Sequence, residues 1–481
     1  MKPVAIFRAT LVTGAVSLLC ACATAPDYVK PAVEIPVAWQ VEAPWRPSTP
    51  GDTIAKGPWW ERFGDPQLNA LEQKAMLSNQ TLAAANARLA QARATVAAST
   101  ASMFPQLGLG LRAARQRISA NRPLTNYLSP NFSTIQNDVS AQLSVSYEVD
   151  LAGRVQDLVD GSKASAQQAA ADLENTRLVL GSDLAVNYFS LRALDTELNV
   201  LTRSIALQRR SLGLATDRHD LGAASGLDMA QQQALLDTTL TQVDVLKRQR
   251  SVFEHAIATL TGTPAPQFSI AADQTPMVPP PVPLGIPSDV LERRPDVAAA
   301  ERAMAAANAQ IGVATAAFYP SVILNPNVGV DSRFYRTLFD TPSLLWSFGV
   351  SVTQTLFDGG RISANVDFAR AGYDVTVANY RRIVLTAMQE VEDGISGVAS
   401  IDRAYAQALR AIDSNNRVLA IATDRYEGGV ATYLDVITAQ QSQLNSERQA
   451  AQLLGQRLLT SVFLIKALGG DWPGASKIAA K

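Results

Sequence analysis

Two closely similar segments contain the residues with the clearest capacity for chemistry. Residues 217–228 read DRHDLGAASGLD, and residues 424–435 read DRYEGGVATYLD. Each segment has Asp-Arg, then His or an aromatic residue, an acid, a glycine and a final Leu-Asp at matching offsets. The last carboxylate of each, Asp228 or Asp435, is a negative charge that can cap the helix after the glycine or stay solvated on its surface.

Few residues support any other chemistry. The chain of 481 residues has only two His and two Cys, and its formal net charge is −1, which makes nucleic acid a poor partner. A metal or catalytic site would have to rely on carboxylates, and none has a recognisable ligand spacing. His219 and His255 have no partner spacing, so a hydrolase is a poor interpretation. The sequence has no phosphate-binding loop.

Long helices lead into both segments. Apolar residues recur every seven positions before the first segment and again before the second: Leu184, Leu191, Leu198, Ile205 and Leu212, then Val377, Val384, Val391, Val398, Tyr405, Ile412, Leu419 and Tyr426. A sustained period of seven predicts supercoiled helices. The first should have about 55–60 residues and a length of about 85 Å. Four glycines permit the reversals into the next helices: Gly222, Gly226, Gly428 and Gly429.

Strands precede each long helix. Residues 139–149 alternate completely between apolar and polar side chains, and residues 107–111 alternate more weakly. Residues 322–330 and 348–356 are the corresponding strands later in the chain. The sequence therefore predicts an α+β, mainly α fold in which each half contains a helix, a β-hairpin and two long antiparallel helices.

The halves set the predicted domain boundaries. An extended segment over 22–64 precedes the first repeat (65–264, with a hairpin at 105–151 and a turn at 213–228). A Pro-rich linker (265–287), the second repeat (288–470, with a hairpin at 320–358 and a turn at 424–435) and a tail (471–481) follow. We expect the first helix to begin at Pro66, with Asp65 as its N-cap, and to run to about Ser102. The helix of the second half should begin near Ser288 and include Arg293–Asp296.

The N-terminus predicts export. Lys2 and Arg8 precede a short apolar run, which is typical of a signal peptide over 1–21. The following Leu19-Cys20-Ala21-Cys22 resembles a bacterial lipobox, which implies a diacylglycerol and an N-acyl lipid on Cys22 and no other cofactor. Ala23 after this cysteine is typical of lipoproteins sent to the outer membrane. An ordinary cleavage site near residues 21–25 is the alternative.

Four strands are too few to close a barrel, since single-chain bacterial barrels need about eight. An open sheet with one apolar face would leave edges that lipid does not tolerate. Several copies must therefore pool their strands, and a homotrimer would give a twelve-stranded transmembrane β-barrel continuing into an α-helical barrel. The sequence alone does not decide between three copies and two or four.

The chain resembles the outer-membrane factor lipoproteins of tripartite RND efflux systems, which are TolC-like channel-tunnels of the NodT and OprM type. The resemblance rests on these motifs, in order: Pro26-Asp27-Tyr28, Trp59-Trp60 with Asp65-Pro66, Arg293-Arg294-Pro295-Asp296, Leu356-Phe357-Asp358-Gly359-Gly360-Arg361, and Tyr426 with Leu434-Asp435-Val436. It implies a homotrimer in the outer membrane that meets a periplasmic membrane-fusion adaptor and an inner-membrane RND-type pump. It implies a passive gated duct for drugs, toxic compounds or metals, with no enzymatic activity.

The resemblance also assigns residues. It places Asp435 in a ring of carboxylates at a periplasmic aperture, and Thr438 one turn later predicts a single ring. Tyr426 would donate a hydrogen bond to Asp228 of a neighbouring chain, although its heptad position also suits core packing. The four turn glycines would lie where the adaptor binds. A periplasmic coiled-coil scaffold or adaptor lipoprotein that does not span the membrane is the alternative, and the alternating residues 139–149 argue against it.

Overall fold

A computed structural model describes Pro26, Tyr28 and residues 57–121, 134–222, 225–281 and 293–470. The predicted signal peptide, Cys22, most of the extended segment, the end of the linker and the C-terminal tail lie outside these residues. The chain forms two compact units. Leu89–Ala169 and Ala300–Tyr380 form the unit that contains the sheet, whereas Ala170–Ala299 and Arg381–Lys481 belong to the helical unit.

Seven α-helices lie within the described residues: α1 (Pro66–Ser78), α2 (Gln80–Ala101), α3 (Arg154–Asp220), α4 (Gly226–Leu260), α5 (Pro295–Ala316), α6 (Arg361–Glu427) and α7 (Tyr433–Ala467). The long helices α3 and α6 each have 67 residues, and α4 and α7 each have 35. The second pair starts 207 positions after the first (361 − 154 and 433 − 226). The predicted duplication is confirmed.

The prediction of one continuous first helix was wrong. The first helix does not run unbroken to Ser102, because Asn79 is extended and separates α1 from α2. Its side-chain oxygen accepts a hydrogen bond from Leu82 N at 3.0 Å, so it caps a new helix. In the second half, α5 begins at Pro295, and Arg294 separates it from the helical Arg293. The predicted start of this helix near Ser288 lies outside the described residues.

The six strands of the described sheet are all antiparallel: β1 (Gln106–Ile118), β2 (Thr134–Val149), β3 (Ser321–Leu324), β4 (Asn327–Ser332), β5 (Leu344–Ser347) and β6 (Val350–Thr353). One edge of β2 pairs with β1 and the other with β3 and β4, which pair in turn with β6 and β5. Pro326 interrupts the predicted strand 322–330, because proline cannot donate to the ladder. The sheet therefore has four rows, two of them interrupted.

The register gathers the apolar residues on one face. Leu109 pairs with Leu143, Leu143 with Val328, and Val328 with Trp346. Residues opposite each other in a ladder point to the same side of the sheet. Leu109 is 67% exposed and Trp346 is 74% exposed in the single chain. The predicted alternation is confirmed, and no part of the described chain covers this face.

The heptad positions of the long helices face inward. Leu184 and Leu191 of α3 and Val384 and Val391 of α6 are fully buried. The first helix is longer than expected, because the helical backbone continues through Gly213 to Asp220. Its length is about 100 Å at 1.5 Å per residue.

Helix α7 packs on the first pair of long helices. Leu444 of α7 clusters with Leu201 of α3 and Leu246 of α4. Arg448 of α7 forms a 2.7 Å ion pair with Glu197 of α3, a carboxylate that is almost fully buried. These contacts fix the helices in register, so the α3–α4 turn and the α6–α7 turn lie at the same end of the helical unit.

Candidate functional site

A glycine closes the long helix in the same way before both turns. The φ angle is 76° at Gly222 and 75° at Gly429, in the left-handed region that favours glycine. Gly222 N donates to His219 O at 2.8 Å, and Gly429 N donates to Tyr426 O at 3.0 Å, so each glycine closes the helix before it. The chain therefore needs glycine at these two positions, because it reverses through a left-handed residue at each.

The other two predicted turn glycines have different positions. Gly226 is the first residue of α4, and Gly428 lies just after α6 with its N–H donating to Asp424 O at 2.9 Å. Neither has a positive φ angle. A Cβ atom at Gly226 would meet His219 Cε1 at 3.7 Å, and one at Gly428 would meet Asp424 O at 3.4 Å, both ordinary contact distances. The structure therefore does not require glycine at these two positions.

The helices after the turns begin differently. In the first, Ser225 Oγ accepts a hydrogen bond from Leu227 N at 3.1 Å. In the second, Asp435 Oδ2 accepts from Thr432 N at 3.0 Å and from Thr432 Oγ1 at 2.8 Å. The carboxylate of Asp435 thus caps α7 within its own chain, one of the two local roles that its sequence position allowed.

Asp435 also remains exposed. It lies in an open groove of about 640 Å³ beside the second turn. The groove is lined by Val418, Ile421, Ala422, Arg425, Gly429, Val430, Ala431, Thr432 and Asp435. The capping bonds hold the carboxylate in place without removing it from solvent, so it can still act as a fixed charge.

The buried residue of this region is Tyr433, which was not among the predicted site residues. Its side chain is 4% exposed and its hydroxyl donates to Gln232 Oε1 of α4 at 2.9 Å. Burial, with smaller contributions from the neighbouring Tyr426 and the Asp228 carboxylate, raises the pKa of Tyr433 to about 12. Tyr433 therefore ties the second turn to the helices of the first, with its hydroxyl neutral over the physiological range.

Tyr426 packs within its own chain. Its ring lies 4.9 Å from the ring of Tyr433, and the guanidinium of Arg218 lies 4.9 Å from its ring centroid. It contacts a cluster formed by Ala215, Tyr433, Val436 and Ile437. The structure therefore shows the core packing that its heptad position predicted. A hydrogen bond from its hydroxyl to another chain remains a prediction.

The structure brings together three predicted site residues, Asp228, Tyr426 and Asp435, and adds Tyr433 to them. Asp228 and Tyr426 both lie beside Tyr433, and Asp435 follows Tyr433 by two residues at the start of α7. The repeat itself could have identified the missed tyrosine. In the 207-residue alignment, Tyr433 stands opposite Gly226 and Tyr426 stands opposite His219, so only the second turn has an aromatic pair.

Among the described residues, no group of three or more His, Cys, Asp or Glu side chains could hold a metal ion. Within the same part of the chain, no α-helix combines the length and the apolar character needed to cross a bilayer.

Comparison with known proteins gives consistent matches along the whole chain. The family of outer membrane efflux proteins matches residues 71–263 and 286–470. The toluene efflux pump outer membrane protein TtgF of Pseudomonas putida is 31% identical over 95% of this chain and 96% of its own. The pyoverdine export outer membrane protein OpmQ of Pseudomonas aeruginosa is 30% identical over 98% and 97%. The solved structure of the outer-membrane channel OprN superposes with a TM-score of 0.86 at 27% identity, covering 94% of this chain and all of that one.

Proposed function

The chain belongs to the outer membrane efflux protein family, and we propose that it is the passive, gated duct through which an efflux pump exports small molecules. It works in the outer membrane, and it is the outer-membrane component of such a pump. The proposed duct performs no catalysis, because transport along a concentration gradient needs only a pathway and a gate.

The observation that carries the proposal is the sheet. Its apolar face has no cover in the described chain, and its outer rows, β1 on one side and β5 with β6 on the other, each have an unpaired edge. Exposed edges in lipid are costly, so the edges must pair with other copies. Three copies would supply twelve rows, more than the roughly eight that closure needs. Two copies would supply eight rows, so closure alone does not fix the number of copies. We propose a homotrimer with a shared barrel because the resemblance to TolC-like channels implies three copies.

The ends of the long helices support the same association. Val418 and Ile421 near the end of α6 are more than half exposed, and so are Leu221 and Leu227 at the first turn. Apolar side chains exposed in a row favour a helical neighbour. In the proposed trimer the first turn of one copy packs against the second turn of the next.

We place the gate at these turns. Three copies of Asp435 would form a ring of negative charge that narrows the passage through hydrated carboxylates and favours cations. A hydrogen bond from Tyr426 to Asp228 of the neighbouring chain would latch the closed state, at about 1–3 kcal/mol. An energy of this size is small enough for docking of a partner to release.

Partners complete the pump. We propose that a periplasmic membrane-fusion adaptor contacts the turns around Gly222, Gly226, Gly428 and Gly429 and links the duct to an inner-membrane RND-type pump. A diacylglycerol and an N-acyl chain on Cys22 would anchor each copy to the outer membrane. A scaffold that does not span the membrane is not favoured, because it would have no use for the exposed apolar face of the sheet.

Conductance of the purified protein in planar bilayers tests the proposal. We expect trimers with low conductance, and a higher conductance for Asp435→Ala. Because Asp435 also caps α7, Asp435→Asn is the decisive variant, since its side-chain oxygen can still accept from Thr432 while the charge is lost. Asp413→Asn, at an exposed position on α6, is the matched control.

Each outcome has a definite meaning. If Asp435→Ala and Asp435→Asn raise conductance equally and Asp413→Asn does not, charge closes the duct. If only Asp435→Ala raises it, the helix cap is responsible and the carboxylate ring is wrong. If wild-type protein neither inserts nor conducts, the duct itself is wrong and the scaffold is favoured.

A further inference from the structure

The apolar face of the sheet ends in arginines. Residues two apart on a strand point to the same side, so Arg115 and Arg117 of β1 share a face with Leu107, Leu109 and Leu111. The register supports this, because Leu111 pairs with Ala141 and Arg115 with Asn137 on the same side of β2. Both arginines are exposed, and they lie beyond the apolar band at the end of β1 away from α2.

The charges of the sheet are separated by face. Among the described strand residues, the apolar face has no acid. Asp138 and Glu148 of β2 lie on the opposite face, as does Asp331, which pairs with Ser140. Arg112 is also on that face, with Nε 3.9 Å from Asp138 Oδ2. Arg115 and Arg117 therefore lie on the opposite face from the acids of these strands.

Two more arginines lie at the same end of the sheet. The loop between β4 and β5 presents Arg333, Phe334, Tyr335 and Arg336, all exposed, with Tyr335 71% accessible. Each arginine lies over its aromatic neighbour, with the guanidinium 5.8 Å from the Phe334 ring and 5.7 Å from the Tyr335 ring. One acid, Asp340, lies in this loop, and the two arginines outnumber it.

The loop is held by its own hydrogen bonds. The hydroxyls of Ser332 and Thr337 are 2.7 Å apart, and Ser343 Oγ donates to Thr337 O at 2.6 Å. Although an arginine lies over each ring, Phe334 and Tyr335 still expose most of their apolar area to water. The exposed rings favour a partner outside the chain that has an apolar interior. The arginines beside them favour a partner with an anionic surface.

We propose that Arg115, Arg117, Arg333 and Arg336 form an arginine rim that binds the phosphate groups of lipid headgroups in the outer leaflet of the outer membrane. Guanidinium groups form short, bidentate hydrogen bonds with phosphate. Phe334 and Tyr335 have the amphipathic character of side chains at the boundary between headgroups and hydrocarbon. The proposal rests on the proposed function, which places the sheet in the outer membrane with its helix-distant end outward.

Lipid binding by the detergent-purified full chain tests the rim. Diphosphoryl lipid A is the probe and phosphatidylcholine the reference, and bound lipid is counted by native mass spectrometry. We expect wild-type protein to retain lipid A in preference to phosphatidylcholine, with retention falling as salt rises. Replacing the four rim arginines by Gln should weaken lipid A binding by at least about tenfold.

A charge-matched control separates the rim from overall charge. Its four changes to Gln lie at exposed helical positions Arg88, Arg209, Arg210 and Arg248. The rim is wrong if both quadruple variants lose lipid A equally, or if the rim variant binds as wild type does. It is also wrong if the rim variant changes the number of associated copies while keeping lipid A, because the rim would then be a contact between copies. Conductance of the rim variant in bilayers shows whether the duct survives independently of either result.

Discussion

The two turns begin with the same left-handed glycine but have different side-chain contacts. Each follows a helix of 67 residues, is closed by a left-handed glycine and leads into a helix of 35 residues. The second turn has Tyr426 and Tyr433 where the first has His219 and Gly226. Because Tyr433 packs on α3 and bonds to α4, the second turn depends on the first for its position.

This asymmetry shows how a duplicated element acquires a new role. The glycines and helix lengths maintain the reversal in both copies, whereas the aromatic pair couples them within one chain. A gate built from both turns would then move as one body per chain, with its moving contacts between chains. The following predictions test this difference, beginning with the largest expected effect.

Truncation of the buried aromatic residue should have the largest effect. Tyr433→Ala removes a ring that is 4% exposed and should lower the local stability of the second turn by about 3 kcal/mol. Native-state hydrogen exchange of the amides around residues 426–437 measures this change. His219→Ala, at the aligned position of Tyr426 in the first turn, should change exchange there by less than about 0.5 kcal/mol. Comparable losses at both turns would refute the asymmetry.

The ionisation of Tyr433 should set the second turn apart at alkaline pH. Its pKa rises from 10.0 to about 12 in the folded chain. Folding therefore favours the neutral phenol, and this stabilisation is complete below pH 10 and is lost as the pH rises towards 12. The absorbance difference at the tyrosinate band between wild type and Tyr433→Phe should titrate near pH 12. A difference that titrates near pH 10 would show that the hydroxyl is not buried.

Replacing the left-handed glycine by alanine should destabilise both turns equally. Gly429→Ala forces a left-handed conformation on alanine and should cost about 1–2 kcal/mol, and Gly222→Ala should cost the same. Gly428→Ala, where φ is not positive, is the control and should be close to neutral. Hydrogen exchange at both turns measures the costs. A large difference between Gly222→Ala and Gly429→Ala would mean that the backbones are not equivalent in solution.

Removal of one hydroxyl should have the smallest effect. Tyr426→Phe keeps the ring between Arg218 and Tyr433 but removes the proposed bond between chains, which is worth about 1 kcal/mol. The fraction of time the channel is open in planar bilayers should rise about fivefold. Asp228→Asn should have a similar effect, and the double variant should add little to either. Additive effects of the two changes would exclude a direct bond.

Much of the fold follows from local periodicity. The period of two in residues 139–149 and the period of seven from Val377 to Tyr426 each describe the side chains of one face, and that face is a local property. The interruptions were harder to predict. Asn79 ends one helix and caps the next, with its amide also bonded to Leu260 O at 2.9 Å, a partner 181 residues away.

The sequence placed the candidate site only in part. It identified the turns and the carboxylates, because glycine at a left-handed position and repeated residue types are visible in one dimension. It did not identify Tyr433, whose importance comes from Gln232 and Ser211 on other helices. Nor did the sequence decide whether Asp435 caps α7 or stays exposed to solvent, because a carboxylate at the start of a helix can do both.

The sequence by itself thus determined two copies of one helical hairpin, an apolar sheet face and the glycines that reverse the chain. Tertiary structure alone decided which tyrosine is buried, which strands pair in the sheet and which carboxylates the arginines meet. The physical reason is the distance along the chain between the residues that interact. Periodicity and backbone conformation are set by neighbours along the chain, whereas burial, register and hydrogen-bond partners are set by residues that folding brings together.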